Sequence, residues 1–190
     1  MKIGLFFGSF NPVHNGHLII ANYICETSAL DKVWMVVSPQ NPLKQKESLI
    51  NEHDRLHLIS LAIEGNENLA VSNIEFKMPK PSYTIDTLVH LQEKYPAHQF
   101  SLIMGSDNLT TLHKWKNYEL LLKNYEFYIY KRRDTDVNPY PDSANIHVLD
   151  FPYIDISATF IRENIKNGIS MEYFLHDKVW EYVHKFNLYR

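Results

Sequence analysis

The chain is predicted to be α/β, a doubly wound, mostly parallel sheet with helices on both faces. Three observations carry this: strand-like and helix-like segments alternate along the chain, the strand-like ones are short apolar runs, and a glycine-bearing turn follows the first. Lys2 to Phe7 reads as a buried strand and Leu18 to Ser28 as a helix. Lys32 to Val37 is a second buried strand. Asn51 can cap a helix running to about Glu64, with Leu56, Ile59, Leu61 and Ile63 supplying apolar surface and Gly65 ending it. Leu69 to Phe76 alternates as a third strand. Thr84 to Lys94 is helical, with Pro96 just past its end. Phe100 to Met104 is a fourth strand, Tyr118 to Lys123 a short helix, and Glu126 to Tyr130 and Asn145 to Leu149 strands five and six. Ser157 can cap a helix to Lys166 that Gly168 stops, and Asp177 can cap a last helix through Phe186. Such a Rossmann-like sheet binds ligands outside the carboxyl ends of its strands, where the strand order reverses. One domain over 1–190 is expected, with about 157–190 as a small C-terminal helical part.

Composition narrows the class. With 45% hydrophobic residues in 190, the chain can bury a sizeable core. Its net charge of −3 argues against a nucleic-acid binder, which usually has a basic face. No apolar run is long enough to cross a bilayer, and the N-terminal stretch lacks a signal-peptide pattern. Cys25 is the only cysteine, which fits a reducing cytoplasm and a packing role. Ten histidines include no zinc-ligand spacing, so no protein metal site is expected.

The strongest chemical signal is Gly8-Ser9-Phe10-Asn11-Pro12-Val13-His14-Asn15-Gly16-His17-Leu18, directly after the first strand. Gly8 permits a close approach of backbone to a ligand. His14 and His17 lie three apart at a helix start and can face one spot. Free N–H groups and partial positive charge at a helix N-terminus suit a phosphate. A helix-capping turn with two incidental histidines is the bland alternative. A second signal is Ile156-Ser157-Ala158-Thr159-Phe160-Ile161-Arg162. Ser157 caps that helix, and the forked guanidinium of Arg162 can clamp a polyphosphate. Alone, that stretch would read as an ordinary capped helix with a solvated arginine.

Together the two stretches resemble the H-x-G-H and I-S-x-T-x-x-R elements of the nucleotidyltransferase superfamily, distantly shared with class I aminoacyl-tRNA synthetases. Ser82-Tyr83-Thr84-Ile85-Asp86-Thr87-Leu88, Leu102 to Asp107 with Leu112-His113-Lys114-Trp115, and Asp177 to Val183 resemble the bacterial nicotinate-nucleotide adenylyltransferases. The resemblance implies transfer of AMP from ATP to nicotinate mononucleotide, releasing pyrophosphate, in NAD biosynthesis. It implies His14, His17, Lys44 and Arg162 as catalytic residues. Gly8, Ser9, Phe10, Gly105, Asp107 and Ser157 join His14, His17 and Arg162 around ATP. Thr84 and Trp115 line the nicotinate mononucleotide pocket. Trp115 offers a stacking face, and the helix start at Thr84 offers N–H donors to a carboxylate. Mg²⁺ is expected to arrive with ATP, without a dedicated protein site. The expected partners are these two substrates, with no nucleic acid and no membrane, in the cytoplasm; a homo-oligomer stays open.

Two departures from the family pattern stand out. Leu43 replaces a histidine in the common Pro-Pro-His-Lys stretch, and Lys116 replaces an aromatic after the tryptophan. Lys46 and Arg55 are further candidate cations, or solvated surface side chains. The alternatives weighed are a sister adenylyltransferase for nicotinamide mononucleotide or phosphopantetheine, and a non-catalytic nucleotide-binding regulator. A synthetase and a redox enzyme are disfavoured, because no K-M-S-K-S-like run and no G-x-G-x-x-G turn occur.

Overall fold

The computed structural model describes residues 1–39, 49–133, 135 and 138–190. Lys44, Leu43 and Lys46 lie outside the described residues. Six strands form one sheet: β1 (Lys2–Gly8), β2 (Lys32–Val37), β3 (Leu69–Ser72), β4 (Gln99–Gly105), β5 (Phe127–Tyr130) and β6 (Ile146–Val148). Their order is β3-β2-β1-β4-β5-β6, and each neighbouring pair is parallel. Seven α-helices accompany them among the described residues: α1 (Asn15–Thr27), α2 (Glu52–Ala62), α3 (Thr84–Lys94), α4 (Ser106–Thr110), α5 (Tyr118–Asn124), α6 (Ala158–Lys166) and α7 (Asp177–Lys185).

Period-2 alternation along the strands sends side chains into two cores. Ile3 and Leu5 of β1, with Phe100, Leu102 and Met104 of β4, meet α3, α4 and α5 through Ile85, Leu88, Leu91, Leu109 and Leu121. Phe6 and Ile103 point the other way. There they join Ile20 and Ile24 of α1, Leu58 and Ile59 of α2, Ile161 and Ile165 of α6, and Val179 and Val183 of α7. The sheet is covered on both faces, which explains its near-continuous apolar strands. From β1 the chain moves outward one way to β2 and β3, then returns to lay β4 on the other side of β1. The reversal point lies between the ends of β1 and β4, at Gly8 and Gly105.

Four local expectations need correction. Helix α1 starts at Asn15 rather than Leu18, because the His14 carbonyl already accepts from His17 and Leu18 N–H at 2.9 and 3.3 Å. β3 stops at Ser72, where Ser72 Oγ takes the Ile74 N–H and a 3₁₀ turn (Ile74–Lys77) swings Glu75 inward. The last helix is capped by His176, whose Nδ1 accepts from Lys178 N–H at 3.3 Å; Asp177 is its first residue. The short α4 directly after β4 was not expected.

Candidate active site

The turn between β1 and α1 lies at the reversal point. His14 is the N-cap of α1 and His17 sits in its first turn. Their rings stack with centroids 3.7 Å apart. The His14 backbone N–H donates to His17 Nδ1 at 3.3 Å. In the neutral ring the His17 proton then sits on Nε2, the nitrogen not spent on the turn. His14 is 4% exposed, and burial, followed by the positive charge of Arg132, pushes its imidazole down to about 3. His14 is therefore neutral at physiological pH and offers a single N–H.

Phe10 takes a left-handed backbone conformation (φ 45°), and its ring is buried over Gly8. A Cβ at residue 8 would lie 2.8 Å from Phe10 Cζ. Gly8 therefore makes room for the Phe10 ring. That ring packs edge-on to His17, centroids 5.0 Å apart, and supports the imidazole from behind.

The second stretch arrives from far along the chain. Ser157 Oγ caps α6 by accepting from Phe160 N–H at 3.2 Å. One turn on, Arg162 Nη1 donates to the Asn11 carbonyl at 2.8 Å. The arginine is thus seated on the β1–α1 turn itself, 151 residues away in sequence.

Across the reversal point, Gly105 ends β4, and Asp107 is the second residue of α4. A Cβ at residue 105 would run into Asp107 Oδ1. Arg132 lies two residues past the end of β5, with Nε 3.9 Å from Asp107 Oδ1 and its guanidinium 5.5 Å over the Tyr130 ring. Its backbone N–H donates to Ser106 Oγ at 2.9 Å. Nothing in the sequence singled out Arg132; only the β4–β5 pairing brings it to the site.

Arg55 is the largest surprise. It is 1% exposed, not solvated, and its guanidinium donates to four carbonyls. These belong to Ser9 (2.5 Å), Ser38 (2.9 Å), Ile50 (3.3 Å) and Pro39 (3.4 Å). It ties the ends of β1 and β2 together and leaves little capacity for a ligand.

On the other wing, Thr84 opens α3, and Trp115 is half-buried against the second core. Lys116 joins the two segments. Its Nζ lies 2.8 and 3.0 Å from the Asp86 carboxylate oxygens and 5.0 Å from the Tyr83 ring centroid. Beneath them, Thr87 Oγ1 donates to Glu75 Oε1 at 2.8 Å. Glu75 is 3% exposed, and burial pushes its carboxyl pKa up. Among the described residues, no three His, Cys, Asp or Glu side chains gather as a metal site.

A cytidylyltransferase-like family model matches residues 5–164. The chain is 54% identical, over the full length of both, to a probable nicotinate-nucleotide adenylyltransferase of Flavobacterium psychrophilum. A protein of the same description from Bacteroides fragilis is 44% identical over 95% of this chain and 90% of its own. Among solved structures, the Plasmodium falciparum nicotinic acid mononucleotide adenylyltransferase complexed with NaAD superposes with a TM-score of 0.84. That pair shares 20% identity over 99% of this chain and 97% of the other, a likeness of fold. A reversal point furnished with stacked histidines and a distant arginine, carried on a chain this similar along its whole length, places the protein among the nicotinate-nucleotide adenylyltransferases of the cytidylyltransferase-like family.

Proposed function

We propose that this chain carries out its family's reaction, AMP transfer from ATP to nicotinate mononucleotide, as one direct in-line displacement. A 5′-phosphate oxygen of nicotinate mononucleotide attacks the α-phosphorus of ATP. The bond from that phosphorus to the β-bridging oxygen breaks, and pyrophosphate leaves with the electron pair. A phosphate dianion is nucleophilic at neutral pH, so no general base is required. Catalysis rests on positioning and on stabilising charge. The observation that carries this reading is the Arg162–Asn11 bond, which seats a cation on the same turn as the two histidines.

His14 and His17 donate to α- and β-phosphate oxygens, alongside the free N–H groups at the start of α1. Arg162 spends one N–H on Asn11 and a longer one on Thr159 Oγ1 at 3.4 Å, and turns remaining donors to the leaving pyrophosphate. Arg132 adds a second cation from the far side of the crevice, and Lys44 a third. Gly8, Ser9, Phe10, Gly105, Asp107 and Ser157 frame the ATP side. Mg²⁺ enters as part of the MgATP substrate. Thr84 and Trp115 take the nicotinate ring and its carboxylate. The test is pyrophosphate release from ATP with nicotinate mononucleotide, nicotinamide mononucleotide and phosphopantetheine side by side. Clear preference for the nicotinate form is expected, and equal efficiency with its amide would sink the substrate assignment.

A further inference from the structure

We propose that the Tyr189 hydroxyl is a positioning group for AMP transfer, holding the Asn11 corner of the phosphate turn so that Arg162 is presented in one pose. This rests on the functional reading above. Tyr189 Oη donates to Asn11 Oδ1 at 3.0 Å, across 178 residues of sequence. The same oxygen accepts from Ile50 N–H at 3.3 Å. The Asn11 carbonyl accepts from Arg162 at 2.8 Å. Asn11 is 2% exposed. One buried residue between β1 and α1 thus receives contacts from positions 50, 162 and 189.

This arrangement has a mechanical consequence. A side-chain amide oxygen pinned by two donors cannot swing, so the peptide next to it keeps its orientation. Arg162 takes its pose from that peptide. The Arg162 bond to Thr159 is longer, at 3.4 Å, and holds it less firmly. Small misplacements of a charge-bearing group reduce turnover steeply. Burial pushes the Tyr189 phenol above its ordinary range, so it remains a protonated donor at working pH despite Arg162 and Arg55 nearby. No ligand need touch Tyr189 for it to matter; it acts through Asn11.

Tyr189→Phe keeps the ring and removes only the hydroxyl. The expected result is a fall in kcat of about fivefold, the scale of one neutral hydrogen bond. KM for nicotinate mononucleotide should stay at the wild-type value, and circular dichroism at the assay temperature should report a folded protein. In an Arg162→Lys background the same substitution should cost under about twofold, because both groups act through one contact. Wild-type kcat in Tyr189→Phe, or an undiminished loss in the Arg162→Lys background, would overturn the inference. If the unaltered protein released no pyrophosphate with nicotinate mononucleotide, the functional reading would fall and this inference with it.

Discussion

Around the β1–α1 turn the fixing contacts are buried, whereas around α3 and the Trp115 loop much of the fixing lies at the surface. Arg55, with four carbonyl partners, and Asn11, with three donors, lock the β1–α1 turn from inside. The Trp115 loop is joined to α3 by Lys116 and Asp86, whose side chains are 44% and 45% exposed. Buried polar contacts are costly to break, because each partner left behind loses its hydrogen bond out of reach of water. An exposed ion pair contributes about 0–1 kcal/mol. The contrast separates two tasks. On the function proposed above, the end that handles phosphorus is preorganised, and the end that selects the acceptor is adjustable.

The sharpest attempt to break this contrast is Arg55→Met. It strands four carbonyls and is expected to lower unfolding free energy by roughly 3–5 kcal/mol in a denaturant titration. A cost below about 1 kcal/mol would show that the inner lock is not a lock. His17→Ala comes next. Its folded enzyme should lose roughly two to three orders of magnitude in kcat, as when one oxyanion donor is removed. Near-normal turnover would take the imidazole out of the chemistry.

A third test uses pH. The His14 imidazole is held at about 3 in the folded chain, first by burial and then by Arg132, against an ordinary 6.5. The unfolded chain therefore binds this proton first as pH falls. The contribution is complete above pH 6.5 and is lost progressively between about 6.5 and 3. Between neutral pH and pH 5 it amounts to roughly 2 kcal/mol. Urea titrations across that range should show this slope, and His14→Gln should flatten it; an unchanged slope would refute the assignment. The smallest effect is expected for Lys116→Ala. KM for the acceptor should rise by no more than about fivefold with kcat intact, and the difference should shrink at high salt. A collapse of kcat there would erase the distinction between the two sides.

Much of this was legible in the sequence, for identifiable reasons. Strands covered on both faces must be largely apolar, so β1, β2, β4 and β5 could be read as apolar runs, whereas the outermost β6 is mostly exposed and β3 was read too long. The spacing of His14 and His17 at a helix start already put the two rings on one face. What stayed hidden is polar and wholly or partly buried. Arg55, Glu75 and Arg132 look like surface residues in the sequence, because an ionisable side chain is normally solvated. Only their distant partners reverse that expectation: carbonyls from three separate segments for Arg55, Thr87 for Glu75, and the β4–β5 pairing for Arg132. The role of Asn11 was equally invisible, since two of its donors come from α6 and from residue 189. Lys44, singled out by motif, falls outside the described residues.

The central strand carries a final consequence, for how the molecule assembles. β1 pairs with β2 close by in sequence, from Ile3 with Lys32 onward, but on its other side β1 waits for Gln99 onward before a neighbour exists. Closing such long-range parallel pairs is slow, because loop entropy must be overcome before any contact rewards it. The turn at Asn11 waits longer still, until residue 189 docks. During refolding, recovery of far-ultraviolet signal should therefore precede recovery of turnover.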